Sequence, residues 1–475
     1  MADLLLTHGY FLYEDPKEMQ IMKPYAPLGI LYLCSHLRKQ GFSVDVFDTT
    51  FSSRAELFHH LRTEPPTVLG IYANLMTRGN AVEIMAVARA AGWRVVVGGP
   101  EPGAYAQEYL EAGAEFVVFG EGEATLQELL TALQACADRA DPAWRAKIAG
   151  AAYLDESGLF HQNPPRAQIA DLDAQPWPAR QAIDLHRYVE TWRTHHNQGS
   201  VNFITARGCP YKCRWCSHQV YGQTHRRRDP IKVVDEVEWL LTEYTPDIAW
   251  VSDDVFTINH QWIRDYAAEM RRRSLRVPFE CISRADRINE EMLDLLAELG
   301  CFRIWIGSES GSQRLLDSMD RGVKVEQVQR AVALARARNI QSGMFLMWGY
   351  DGEEMEDIEA TIDHVRKSKP DIFFTTVSYP IKGTPYYGQV ESKLVQLKPW
   401  CQTSDREIKI RGRHSREFYA HADKLLRDEV ERARLLESGS PGQEASAGRE
   451  ALDQLSARIA ASRQALAATR HEVEA

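Results

Sequence analysis

No stretch of this chain stays apolar over anything near the ~20 residues that span a bilayer, so a membrane span is not expected. Basic charge is also in short supply. Lys and Arg number 56 against 66 Asp and Glu, a net charge of −10, and nucleic-acid binding, which wants a basic surface, is not expected either. The local run Arg226-Arg227-Arg228 reads as a solvated patch. At the N-terminus no basic segment leads into a long apolar one, so no export signal is expected, and a cytoplasmic setting with reduced thiols is. Cysteine is scarce, with eight in 475 residues. Five of them, Cys34, Cys136, Cys281, Cys301 and Cys401, stand singly and read as small apolar fillers. The other three are clustered.

What is present is a double alternation of strand-like and helix-like runs. Residues 1–145 place strand candidates at 4–7, 43–47, 68–71, 94–97 and 116–119, with amphipathic helical runs between them. Continuous apolar strands separated by helices imply a parallel sheet covered on both faces. Ligands of such sheets bind at loops beyond the carboxyl ends of the strands. Those loops hold Asn74-Leu75-Met76-Thr77-Arg78, Gly98-Gly99-Pro100 and Gly120-Glu121-Gly122-Glu123. Residues 146–198, rich in proline and weak in periodicity, read as a linker. A second array over 199–395 has strand candidates at 202–205, 248–252, 279–283, 303–307, 343–348 and 372–378. Six βα units suggest a parallel barrel or partial barrel with its reactive groups at the carboxyl ends of the strands. Residues 396–436 read as helical. In 437–475 a Ser/Gly/Pro break precedes a tail with Leu452, Leu455, Ile459, Leu466 and Val473 at heptad-like spacing, interrupted by Ser462 and Thr469. Both a coiled coil, with self-association through this helix, and a packed amphipathic helix fit that pattern.

The cysteine cluster directly follows the first strand of the second array, as Cys209-Pro-Tyr-Lys-Cys213-Arg-Trp215-Cys216-Ser-His218. Thiolates suit iron–sulfur clusters and zinc. A four-iron cluster usually takes four cysteines, and three leave one iron open for chemistry. The zinc reading would need His218 as a fourth ligand, and the short spacing after Cys216 makes it an awkward chelator.

This CxxxCxxC segment, with an aromatic residue before its last cysteine, resembles the radical S-adenosylmethionine superfamily. The resemblance implies that Cys209, Cys213 and Cys216 hold a [4Fe–4S] cluster. The amino and carboxylate groups of S-adenosylmethionine would take the fourth iron, and reduction would yield a 5′-deoxyadenosyl radical. It also nominates Trp215, Asp253, Arg284, Ser308 and Glu309 for contacts with the cosubstrate. Asp253, preferred to Asp254, would accept from the methionyl ammonium; helix capping by Thr257 or Asn259 is the plainer role for that segment. Arg284 would pair with a carboxylate or ribose oxygen, or form a structural ion pair. Ser308 and Glu309 lie in Gly307-Ser-Glu-Ser-Gly-Ser312, which is similar to the family's G-x-E-S-G-S turn. Gly349-Tyr-Asp-Gly-Glu353 lacks the proline of the related Gly-x-Pro-Gly-Glu loop.

The order of parts over roughly residues 1–390 resembles the cobalamin-binding branch of the superfamily, which includes C-methyltransferases and anaerobic Mg-protoporphyrin ester cyclases. It implies an α/β chain with a Rossmann-like cobalamin domain, a partial (βα)6 barrel and a helical tail. Asn74, Leu75, Met76, Thr77, Arg78, Gly98, Gly99, Pro100, Gly120, Glu121, Gly122 and Glu123 would hold cobalamin. The Asp-x-His-x-x-Gly motif that supplies a cobalt-ligating histidine is missing, and His8 sits too early to replace it. The expected activity is methylation of an unactivated carbon of a small molecule, with electrons from a flavodoxin- or ferredoxin-type donor. Radical cyclisation or rearrangement using cobalamin is the alternative, and a non-enzymatic cobalamin or metal carrier the distant one.

Overall fold

The computed structural model describes residues 2–135, 142–438, 444–470 and 473. Cys136 and positions 439–443 of the expected break lie outside them. Five apolar runs form the parallel strands β1 (Leu4–His8), β2 (Val44–Phe47), β3 (Val68–Tyr72), β4 (Arg94–Gly98) and β5 (Phe116–Val118). They lie in the spatial order β2-β1-β3-β4-β5. Side chains alternate across such a sheet, so Val95 and Val97 enter one apolar core and Val96 the other. Helices cover both faces.

The sheet does not stop at residue 145. β6 (Ala151–Leu154) and β7 (Phe160–Gln162) extend it with antiparallel pairing, inside the stretch read as a linker. Four apolar residues among prolines are too few to stand out as a periodic pattern. The helix Leu185–His196 from the same stretch buries Leu185, Tyr188 and Val189 in the core of the second unit.

That unit starts with β8 (Ser200–Phe203). A two-residue antiparallel ribbon follows, β9 (Ala206–Arg207) against β10 (Arg226–Arg227), and the cysteine loop lies between its arms. Then come β11 (Ile248–Val251), β12 (Phe279–Ser283), β13 (Cys301–Glu309), β14 (Gln341–Trp348) and β15 (Ile372–Val377). The parallel order is β15-β14-β13-β12-β11-β8, so β8 and β15 are the edges of a partial barrel. Asn259 caps the helix His260–Arg272 by accepting from Trp262 N, whereas Thr257 bonds Ser283.

The arginine run is not solvated. Arg226 pairs with Glu121 at 2.6 Å, Arg227 stacks on Trp262 beside Asp253, and Arg228 pairs with Glu236, which also holds Arg180. Three adjacent arginines thus reach three different buried acids, a pattern with no local sequence signature.

In the C-terminal helix Glu444–Thr469, Leu455, Ile459 and Leu466 are buried together with Ser462 and Thr469. The two polar residues belong to the stripe instead of breaking it. Ile459 and Leu466 join the core that also holds Leu425, Leu426 and Val430 of the helix Arg416–Ser438. This is the packed-helix alternative: the face considered for self-association is covered within the chain, and Val473 stands exposed outside it. No helix among the described residues is long and apolar enough to cross a membrane.

The Gly349–Glu353 loop closes on itself without the proline: Gly349 N donates to Glu353 Oε2 at 2.6 Å. Burial raises the Glu353 carboxyl to about 8. Its folded pKa exceeds the unfolded one, so the stability it carries is present at acid pH and is lost as pH rises from about 5 through 8. Glu353→Gln keeps the acceptor and removes the titration. The variant should therefore show a flatter fall of Tm across that window, measured by thermal unfolding at a series of pH values.

Candidate active site

The carboxyl ends of β1, β3, β4 and β5 and the cysteine loop face each other across a cavity of about 350 Å³. Its first-domain wall includes Gly98, Gly99, Pro100, Gly120, Glu121, Gly122 and Glu123. The opposite wall holds Arg207, Gly208, Cys209, His218, Tyr221 and Asp254. The domains are joined at the rim by charge: Arg207 pairs with Glu121 at 2.8 Å and with Glu123 at 2.7 Å, all three buried. Seven of the twelve residues expected at cobalamin therefore line one cavity. Asn74, Leu75, Met76, Thr77 and Arg78 are not on its wall.

Four of those five make contacts of another kind here. Asn74 Oδ1 accepts from Met76 N and Thr77 N, closing a turn. Arg78 is buried and points to the C-terminal region. It pairs with Glu101 and with Asp405 at 2.7 Å, donates to Thr403 O at 2.8 Å, and lies against the rings of Tyr105 and Trp400. The guanidinium of Arg78, named for cobalamin, is spent on these partners in this structure.

The cysteine loop is set by backbone geometry. Gly208 has φ +86°, and a Cβ there would lie 2.3 Å from Thr224 O on the return arm of the ribbon. Only glycine tolerates both conditions. Gly208→Ala should cost about 1–3 kcal/mol of stability and displace Cys209; iron content after anaerobic reconstitution checks this.

Cys213 is buried, and two guanidinium groups reach its sulfur: Arg284 Nη1 at 3.8 Å and Arg321 Nη1 at 3.6 Å. Arg284 is further held by Asp286 at 2.9 Å, by Arg321 O and by the ring of Tyr211. An ion pair, one of the two roles given for Arg284, is present, and its other bonds go to the cysteine loop's surroundings. Arg321, which sequence reasoning passed over, also donates to Gly307 O at 2.7 Å. Cys216 is water-accessible, yet the walls around it hold off enough solvent that desolvation and the neighbouring thiols push its thiol up to about 12. Burial also raises Cys209. Among the described residues no three His, Cys, Asp or Glu converge closely enough for a single ion.

Two of the residues nominated for the cosubstrate also make contacts within the chain. Asp253 is buried, and its carboxylate accepts from Thr205 N, Thr205 Oγ1 and Ala206 N. It holds the chain between β8 and the ribbon, while Asp254 is the one on the cavity wall, its carboxyl raised to about 6 by burial and the charge of Asp253. Ser308 faces outward and bonds His364 Nε2 at 2.9 Å. By strand alternation Glu309 faces the concave side. It shares a second cavity with Trp215 of the cysteine loop, has φ +62°, and its carboxyl is raised by burial.

Of the histidines, His8 is spent on Asp48 and Thr49. His218 lines the first cavity, with no hydrogen-bond partner for Nε2 among the described residues. Trp192 donates to Pro24 O and His196 bonds carbonyls at Ile21 and Met22; neither lines the first cavity, whereas Tyr221 does.

Residues 203–365 match the Radical SAM superfamily and residues 21–130 the B12 binding domain. An uncharacterized methyltransferase of Pyrococcus horikoshii is 29% identical over 373 residues, 75% of this chain and 77% of the relative. The anaerobic magnesium-protoporphyrin IX monomethyl ester cyclase of Rubrivivax gelatinosus is 27% identical over 362 residues, 74% of this chain and 64% of the cyclase. Among solved structures, the radical S-adenosylmethionine methyltransferase TsrM of Kitasatospora setae, with tryptophan and aza-SAM bound, superposes with TM-score 0.69. It is 22% identical, over 82% of this chain and 76% of that one, and shows the shared fold.

This chain is a radical SAM enzyme that carries a B12-binding domain ahead of its radical domain. Its cofactors are a [4Fe–4S] cluster, S-adenosylmethionine and cobalamin. The residues fit them: three thiols on one loop with two cations beside Cys213, and a glycine-edged cleft at the carboxyl ends of a doubly wound sheet.

Proposed function

We propose that this enzyme is a cobalamin-dependent C-methyltransferase acting on an unactivated carbon of a small molecule. One observation carries the reading: the first-domain loops and Cys209 wall the same cavity. Cys209, Cys213 and Cys216 would hold the cluster, and the loops at Gly98–Pro100 and Gly120–Glu123 the cobalamin. When bound, the cluster supplies the electron that opens the sulfur–carbon bond of S-adenosylmethionine, and cobalamin supplies the methyl group. The chain's own contribution is placement and shielding. Arg284 and Arg321 offset negative charge at Cys213, the Arg207–Glu121–Glu123 pairs fix one domain against the other, and the cleft walls limit the water that reaches a reactive carbon. A flavodoxin- or ferredoxin-type protein is the electron donor in this proposal.

The cyclase relative favours a second reading, oxidative ring closure on the same framework. Anaerobic reconstitution with iron, sulfide and hydroxocobalamin, followed by product mass spectrometry, separates the two. Methyl transfer adds one methylene to the substrate mass; loss of hydrogens with no added carbon would sink the methylation reading.

A further inference from the structure

The three thiols of the cysteine loop stand in unequal surroundings. Cys216 is open to water and Cys209 is half-buried. Among the described residues, charged side chains are hydrogen-bonded only to the buried Cys213, which has two of them.

Arg321 is the nearer of the two and is itself buried. It ends a tight turn after the helix Gln313–Ser318. The turn holds the cysteine loop twice: Met319 O accepts from Arg214 N at 3.0 Å, and Arg321 Nη1 reaches Cys213 Sγ at 3.6 Å. The bond from Arg321 Nη2 to Gly307 O, at 2.7 Å, keeps the guanidinium aimed at the sulfur. Arg284 comes from the end of β12, and its Nη2 donates to Arg321 O at 2.9 Å.

The two cations are unequally matched by acids. Asp286 accepts from Arg284 Nε at 2.9 Å, a close counter-charge. The one acid within ion-pair reach of Arg321 is Glu309, at 3.9 Å, and Arg321 Nε has no hydrogen-bond partner among the described residues. Coulomb attraction falls with distance, so Arg321 keeps more of its charge for the sulfur.

Hydrogen bonds to the ligand sulfurs and the net charge around an iron–sulfur cluster both set its reduction potential. One electron from an external donor adds one negative charge to the cluster, and no proton or leaving group moves. The reduced form is therefore the one that a fixed cation favours more. We infer that Arg321, assisted by Arg284, raises the reduction potential of the cluster through the Cys213 sulfur. Arg321 acts through Cys213 and touches no reacting atom, which makes it a positioning residue. The inference rests on the three cysteines as cluster ligands and is independent of methyl transfer.

The test is an EPR-monitored redox titration of the full chain, reconstituted anaerobically with iron and sulfide. S-adenosylmethionine is withheld, so that no contact with its carboxylate contributes. Arg321→Met keeps bulk and removes the charge. It should lower the ratio of reduced to oxidised cluster at a given ambient potential at least about tenfold, a fall of about 59 mV for a one-electron couple. Arg321→Lys keeps the charge without the planar fork and should recover part of that loss. Asp286→Asn should move the potential the other way, since Arg284 keeps an acceptor and loses its counter-charge. Iron and sulfide contents equal to wild type identify the loaded variants. An unchanged potential in loaded Arg321→Met overturns the inference and leaves Arg321 as a clamp on the loop. If Arg321→Met takes up no cluster, Asp286→Asn decides: a raised potential supports the inference, and an unchanged or lowered one overturns it. Wild-type protein that takes up no cluster overturns the ligand assignment, and the inference with it.

Discussion

Cys213→Ala is expected to abolish reductive cleavage of S-adenosylmethionine, leaving 5′-deoxyadenosine at the background of a protein-free control, while the fold survives. The loss follows from the donor set: three thiols leave one iron open, and two cannot hold the cluster in its chemically useful form. Survival follows from the neighbours. Arg284 keeps Asp286 and Arg321 O, and Arg321 keeps Gly307 O, when the sulfur between them is gone. Neither cation is left buried without a partner, which is the circumstance that makes such deletions destabilising. Iron and sulfide content, the visible spectrum and 5′-deoxyadenosine release would be measured together. A variant that lost its cluster yet still released 5′-deoxyadenosine would falsify the assignment.

Arg78→Ala is expected to destabilise the protein by about 3–5 kcal/mol, the range for removing one partner of a buried ion pair. Glu101 and Asp405 are both buried, and burial already raises the Glu101 carboxyl with Arg78 in place. Without the guanidinium each carboxylate must take up a proton or find water. The deletion also releases the carbonyl of Thr403, so residues 400–405 are held to the first domain more weakly, through contacts such as Tyr105 Oη on Asp405 and the Trp400 ring on Tyr109. Chemical denaturation reads the energy, and limited proteolysis near residue 400 reads the release. Arg78→Lys should recover only part of it, since an ammonium cannot reach two carboxylates and a carbonyl as a planar fork does. Unchanged stability would show that the pairing only breaks even with its desolvation cost.

The elements legible in the sequence were those with strong periodicity. All five first-domain strands and all six barrel strands lie where the alternating apolar runs place them, because a strand buried on both faces can be built from little else. β6 and β7 were missed: short antiparallel additions are fixed by the edge of β5, which no local pattern reveals. The cysteine triad was legible because thiols so spaced have few other uses. The supporting charges were not. Arg207, Arg226 and Arg321 act through partners about 86, 105 and 108 positions away. The different surroundings of Asp253 and Asp254 were illegible for the same reason. Adjacent carboxylates on a loop after a strand point in different directions, and the hydrogen bonds from Thr205 and Ala206 decide which is used up.

The pairing of Arg207 and Arg226 with Glu121 has a consequence for building chimeras. The two arms of the ribbon that carries the cysteine loop each send a cation to one carboxylate of the other domain. A first domain exchanged for that of a distant relative would bring its own residue at that position. Unless Glu121 or an equivalent acid travelled with it, Arg226 would lose its carboxylate and Arg207 one of its two. The halves of this enzyme are therefore not interchangeable modules, and a successful graft must move its seam to include both arms of the ribbon.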